Sequence, residues 1–147
     1  MKFKNVLVTG GSSGIGLDLA KAYVKQGANV VLMARNQARL DDAAAECSAL
    51  RLTADQQVST YSVDVAKPAE LEKCVADIQT NTGPMDLLIL SAGIVQSIRF
   101  MDQSDQEFND IMNINVMGSR AVAKAFLPDM IKQGRGQVCF VSSLGGL

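Results

Sequence analysis

Short apolar runs rich in branched side chains alternate along this chain with longer stretches whose apolar residues recur at helical spacing. "NVLVTGG" (5–11) is a strand-like run broken by glycine, and in "GIGLDLAKAYVKQG" after it Ile15, Leu19, Ala22 and Tyr23 fall on one helical face. "ANVVLMA" (28–34) is a second buried strand, and "NQARLDDAAAECSALRL" a helix rich in alanine and charge. "VSTYSVDV" (58–65) predicts a third strand. "PAELEKCVADIQTNTG" opens with a proline and closes on a glycine, as helices do, and "PMDLLILSAG" (84–93) is a fourth strand. The pattern then predicts one long helix over 104–134 with Asp105 and Glu107 near its start, and a fifth strand in "GQVCFVSS". Strands separated by helices imply βαβ units, whose right-handed crossovers give a doubly wound α/β fold: a parallel sheet of about five strands with helices on both faces.

Composition narrows the picture. With 147 residues, 48% of them hydrophobic, and no linker or repeat, residues 1–147 form one domain with a sizeable core, or part of one. Fourteen Lys and Arg against fifteen Asp and Glu leave a net charge of −1 without runs of one sign, which argues against a nucleic-acid partner. Cys47, Cys74 and Cys139 are odd in number and form no CxxC, and the chain has no histidine. They read as free thiols in a reducing compartment, and no metal site is expected. The longest apolar runs, "VVLMA" and "LLIL", are too short for a secretory leader or a membrane span, so the expected location is cytoplasmic.

Chemistry enters at the first turn. "TGGSSGIG" (9–16) places Gly10, Gly14 and Gly16 between a strand and a helix. In that setting the first glycine permits the turn, the second lets backbone approach a pyrophosphate, and the third lets helix pack on strand, while the helix N-terminus offers unpaired N–H groups. The residues of this turn expected to meet a dinucleotide are Gly10, Ser12, Ser13, Gly14, Ile15 and Gly16; the plainer alternative is an ordinary Gly/Ser loop. This pattern makes the fold Rossmann-type. An NAD site wants a carboxylate at the end of the second strand, about 20 residues on, to accept the ribose 2′-OH. Here Ala34, Arg35 and Asn36 stand there, with Arg39 one helical turn onward. A guanidinium holds a 2′-phosphate that a carboxylate repels, so NADP(H) is favoured over NAD; the alternative for Arg35 is a solvated side chain at a helix start.

The same residues resemble the short-chain dehydrogenases/reductases, whose glycines are spaced as in "TGGSSGIG". Further matches follow in order: "VDV" (63–65), "SAG" (91–93), "NVMG" (115–118) and "VSSLGG" (141–146). The resemblance implies that Asp64 and Val65 face the adenine, that Ala92 and Gly93 pass along the cofactor, and that Asn115 and Ser143 are catalytic. Ser91 departs from the asparagine that the family commonly has there. Asn115 lies on an apolar stripe of the long helix formed by Phe108, Ile111, Met112, Val122, Phe126 and Met130, so its amide needs buried partners or costs about 1–3 kcal/mol. Local backbone at a helix distortion would supply them; the family reading adds a proton-relay water held by that distortion. Ser143, at the carboxyl end of the fifth strand, is placed to hydrogen-bond a substrate carbonyl or alcohol, although a turn-forming serine has the same spacing.

The family's catalytic tyrosine, and the lysine four residues after it, lie a dozen or so residues past the position of Ser143. The only tyrosines here are Tyr23 and Tyr61, and neither has a lysine four residues on. The resemblance therefore implies the amino-terminal part of a longer, NADP(H)-dependent reductase that interconverts a ketone and a secondary alcohol, with the carboxyl-terminal part of the fold absent. These residues alone would then lose two to four orders of magnitude in rate for want of the general acid. "GGSSGIG", "MARNQARL" and "QVSTYSVDV" look most like 3-ketodihydrosphingosine reductases, which implies a lipid-like keto-amine substrate and leaves membrane association to the missing part. The rival from another class is a non-catalytic NADP(H)-binding or sensing module. Finally, Ile114, Met117, Ala121 and Ala125 make helix 104–134 apolar over more of its circumference than one sheet contact covers, which predicts a homo-oligomer through it.

Overall fold

The computed structural model describes residues 3–143. Five strands, β1 (Asn5–Thr9), β2 (Asn29–Ala34), β3 (Val58–Ser62), β4 (Leu87–Leu90) and β5 (Gln137–Phe140), form one parallel sheet in the order β3-β2-β1-β4-β5. The first crossovers run outward from β1 through β2 to β3, and the next returns to β1's other side. The order therefore reverses between β1 and β4, and the carboxyl ends of those two strands, paired at Thr9 and Leu90, flank the switch point.

Helices α1 (Gly14–Val24) and α2 (Gln37–Ser48) cover one face of the sheet, and α3 (Pro68–Thr82) and α5 (Ser119–Lys132) the other. Alternation along β1 shows why: Val6 and Val8 pack with Ala20, Val24, Leu40 and Ala43, while Leu7 packs with Val75, Ile78, Val122 and Phe126. Local sequence sets the helix ends. Asn36 accepts a bond from Arg39 N (3.0 Å) at the start of α2, Pro68 opens α3, and Gly83 closes it. Ser104 and Glu107 form a reciprocal capping box ahead of α4 (Asp105–Ile111), and the Ser104 hydroxyl and amide together hold the Glu107 carboxyl below its usual range.

Two expectations need correction. The segment 104–134 is not one helix: α4 ends at Ile111, seven residues (Met112–Gly118) widen into a π-helix, and α5 follows. The widening occurs where Asn115 turns its amide toward β4's extension, and such π segments concentrate at functional sites. The inward face of α1 is also shifted from the one its large apolar residues suggest, of which Leu19 and Tyr23 pack partly on the core. Gly16, Ala20 and Val24 are buried there, whereas Ala22 is exposed and Ile15 is 63% exposed. Small side chains win the inner face because the helix lies close on the sheet: a Cβ on Gly16 would stand 2.4 Å from the Gly10 carbonyl oxygen.

A polar belt crosses all five strands at their amino ends. Asn29 Oδ1 accepts from Gln57 N (2.9 Å), Asn29 Nδ2 donates to Asn5 Oδ1 (3.0 Å), and Asn5 Nδ2 donates to the Thr82 and Pro84 carbonyls (3.2 and 3.0 Å). The buried Asp86 carboxylate accepts from Lys4 N and Asn5 N, with Arg135 Nε 3.1 Å from its other oxygen; Gln137 N donates to its carbonyl.

Candidate cofactor site

At the opposite, carboxyl edge the loops open into a cleft of about 400 Å³. Its walls come from the turn after β1 (Gly10, Ser12, Ser13, Ile15, Gly16), the end of β2 and start of α2 (Met33 to Asn36, and Arg39), Val63 to Val65, the loop from Ser91 to Ile94, and Ile114. Every residue expected from the sequence to meet a dinucleotide lines this cleft except Gly14, which is exposed at the first position of α1 with φ +53°. Ile15, displaced from the core face, lines the cleft instead.

The turn is held by what it touches. Gly10 N donates to the Met33 carbonyl (2.8 Å), its φ is +67°, and a side chain there would meet the Ser91 carbonyl oxygen at 2.8 Å. Only glycine combines that dihedral with that contact. Thr9, which sequence reasoning did not single out, is buried and accepts from both Ser91 N (3.1 Å) and Ala92 N (3.0 Å), fixing the facing wall. The signal available was its place as the last residue of β1, directly before the glycines. Ser13 precedes α1 without its hydroxyl capping the helix, so the first-turn amides keep their capacity for an anion.

Arg35 and Arg39 are exposed at the far end of the cleft, and among the described residues neither is in an ion pair. No carboxylate stands at the end of β2. Asp64 is partly occupied, its Oδ1 accepting from Ala66 N (3.0 Å) in the turn to α3.

Asn115 and Ser143 are not among the residues lining the cleft but stand on the same edge. Asn115 Oδ1 accepts from Ile94 N (2.8 Å) and its Nδ2 donates to the Ile94 carbonyl (2.9 Å), so the polar residue on the apolar stripe finds partners 21 residues away rather than in local backbone. Ser143 is exposed, three residues beyond Phe140; Gly93 is likewise three beyond Leu90, Phe140's partner in the ladder. The remainder of "VSSLGG", from Leu144, lies outside the described residues.

An open parallel sheet with a glycine turn, an uncapped helix start and a cleft over its switch point defines a dinucleotide-binding class of α/β protein. The short chain dehydrogenase family model matches residues 4–147, and the chain belongs to that family. It is 38% identical over 143 residues to a 3-ketodihydrosphingosine reductase of Bos taurus and 36% identical over 143 residues to a 3-dehydrosphinganine reductase of Danio rerio, covering 97% of this chain and 43% of each relative. Among solved structures it is similar to L-sorbose reductase from Gluconobacter frateurii, complexed with NADPH and L-sorbose, with a TM-score of 0.85 and 30% identity over 94% of this chain and 51% of that one. The chain thus spans less than half the length of those curated relatives.

Proposed function

We propose that these residues form the NADP(H)-binding part of a reductase that interconverts a ketone and a secondary alcohol, with a long-chain keto-amine as substrate. The observation that carries the reading is the cleft itself: a glycine cradle at the switch point with two unpaired guanidinium groups, and no carboxylate, at the end of β2. The residues present fit the cofactor. The uncapped start of α1 suits a pyrophosphate, Arg35 and Arg39 a 2′-phosphate, and Asp64 and Val65 the adenine. Bound there, NADPH supplies a hydride for the carbonyl carbon. Ser143 hydrogen-bonds the substrate oxygen, and Asn115 sets the path of the Ile94 loop beside it. The relatives' names, 3-ketodihydrosphingosine and 3-dehydrosphinganine reductase, support the keto-amine class. The general acid is assigned to a tyrosine outside these 147 residues, because Tyr23 and Tyr61 are followed four residues later by Gly27 and Val65. No helix among the described residues is long and apolar enough to cross a membrane.

Self-association belongs to the same proposal in altered form. Ile114, Ala121 and Ala125 pack partly on the core, and the exposed large apolar side chains of the segment are Phe108 and Met112 from the expected stripe together with Val116, Met117, Leu127 and Ile131.

Cofactor titration tests the reading. A charge-assisted bond is worth about 1.5–3 kcal/mol, and because Arg35 is solvent-exposed the lower end applies, about a tenfold preference for NADPH over NADH that Arg35→Ala removes. Equal affinity of the unaltered chain for the two cofactors sinks the NADP(H) reading.

A further inference from the structure

Between the end of β2 and the start of α2 stand Arg35 and Asn36 alone. The backbone entering that connection has its carbonyls claimed one after another. The Met33 carbonyl accepts from Gly10 N (2.8 Å) and Gly11 N (3.3 Å), the Ala34 carbonyl from Val63 N (2.9 Å), and the Arg35 carbonyl from the Ser62 hydroxyl (3.1 Å). The first two are backbone bonds, indifferent to the side chains of their donors. The third is made by a side chain, and it falls on the residue whose guanidinium faces the far end of the cleft. On the other side Asn36 Oδ1 accepts from Arg39 N (3.0 Å), which fixes the start of α2. The Arg35–Asn36 peptide is therefore held from both directions, whereas the Arg35 side chain is exposed and, among the described residues, in no ion pair.

Ser62 ends β3 and is paired with Ala34 in the ladder, yet it is not among the residues lining the cleft. It is exposed, so water can satisfy the Arg35 carbonyl in place of the hydroxyl and the bond adds little to folding. Water does not supply direction. An arginine reaches an anion through a long side chain with many rotamers, and bidentate contact with a phosphate demands that the base of that side chain be fixed. With the Ser62 hydroxyl gone, the peptide after Arg35 rotates more freely and the guanidinium meets the phosphate for less of the time.

We propose that Ser62 is a positioning residue for cofactor selection: by holding the Arg35 carbonyl it aims the Arg35 guanidinium, and so sharpens the choice of NADP(H) over NAD(H) without touching either. The inference rests on the NADP(H) reading and adds to it a residue of the neighbouring strand that contacts no part of the cofactor.

The test titrates the chain with NADPH and with NADH, followed by nicotinamide fluorescence and calorimetry. The unaltered chain prefers NADPH about tenfold; in Ser62→Ala the preference falls to about threefold, the scale of one exposed hydrogen bond. The whole change lies in NADPH, and NADH affinity stays within about twofold, which also shows that the variant folds. Ser62→Thr keeps a hydroxyl on a side chain suited to a strand and keeps the preference. In an Arg35→Ala background, adding Ser62→Ala moves the ratio by less than about twofold, because the group it aims is absent. Full preference in Ser62→Ala, equal losses for NADPH and NADH, a Ser62→Thr no better than Ser62→Ala, or an undiminished effect in the Arg35→Ala background each overturns the inference and leaves the cofactor reading intact. Equal affinity of the unaltered chain for the two cofactors overturns the NADP(H) reading and this inference with it.

Discussion

Asn115 holds Ile94 by two bonds at once, so Asn115→Ala removes a paired contact between the π-helical segment and the loop that walls the cleft. The bonds are 2.8 and 2.9 Å long and each is worth about 1 kcal/mol net. Both residues are half-buried, so water reaches part of what is left unpaired and the loss stays near the sum, about 2 kcal/mol. With a urea dependence of about 2 kcal/mol per molar, the unfolding midpoint falls by about 1 M. The chain has no tryptophan, so far-UV circular dichroism is the suitable probe. Asn115→Asp sharpens the test. An ionised carboxylate keeps the bond from Ile94 N but faces the Ile94 carbonyl with a second oxygen, whereas the protonated acid donates to it. The folded-state pKa of that aspartate is therefore raised above its unfolded value near 3.9, and the stabilisation present at low pH is lost as pH rises through the folded value. A midpoint shift under about 0.3 M for Asn115→Ala, or an Asn115→Asp deficit that does not grow between about pH 4 and pH 7, would refute the account of Asn115 as the clamp on Ile94.

Four further outcomes follow from particular contacts. Gly16→Ala drives a methyl group into the Gly10 carbonyl, 2.4 Å away and fixed in the backbone, so it costs about 1–3 kcal/mol in thermal unfolding and weakens NADPH binding more than tenfold; a variant unchanged in both would mean that the turn yields freely. Of the three thiols, only the exposed Cys139 reacts with a disulfide reagent at pH 8 in the native chain, while Cys47 and Cys74 wait for unfolding. Burial first, and Asp77 second, push Cys74 up to about 11 from an ordinary 9.0, so its contribution to stability is complete below pH 9 and lost as pH rises through about 11, which a pH series of unfolding midpoints reads directly. Met117→Lys, on the half-exposed outer side of the π segment, lowers self-association in sedimentation at tens of micromolar without changing the thermal midpoint; a wild-type chain that sediments as a clean monomer removes the reason for the substitution.

The parts of this molecule readable in the sequence are those whose cause is local. The alternation of strand and helix patterns yields the parallel sheet, and the glycines at 10 and 16 declare a turn by their spacing between a strand and a helix, with Gly16 packed on the Gly10 carbonyl of that same turn, whereas the Met33 and Ser91 carbonyls that Gly10 meets come from other strands. Arg35 is legible for the same reason, being the residue directly after β2. What escaped depends on distant partners. Asn115 stands out in the sequence as a polar group on an apolar stripe, but its partner is Ile94, and without that knowledge the π segment reads as uninterrupted helix. Thr9 looks like any strand threonine until β4 brings the amides of Ser91 and Ala92 to it. Ile15 is read two ways in the sequence, on an apolar helical face and in the glycine turn, and the second holds because the closeness of α1 to the sheet reserves the inner face for Gly16 and Ala20.

The belt of side-chain bonds from Gln57 through Asn29 and Asn5 to Asp86 and Arg135 gives the sheet two ends of different character. At the amino end, strand order and spacing are dictated by amides and a carboxylate that leave little freedom, since a change in any one strands the next. Among the described residues no continuous chain of side-chain bonds crosses the carboxyl end, where the loops are held by separate clamps such as Thr9 on Ser91 and Ala92 and Asn115 on Ile94. A sheet anchored in this way can exchange the loops of its working edge, residue by residue, without renegotiating how its strands are ordered. New substrate preferences in a molecule of this plan are therefore a matter of altering one rim, while the opposite rim keeps the fold's identity.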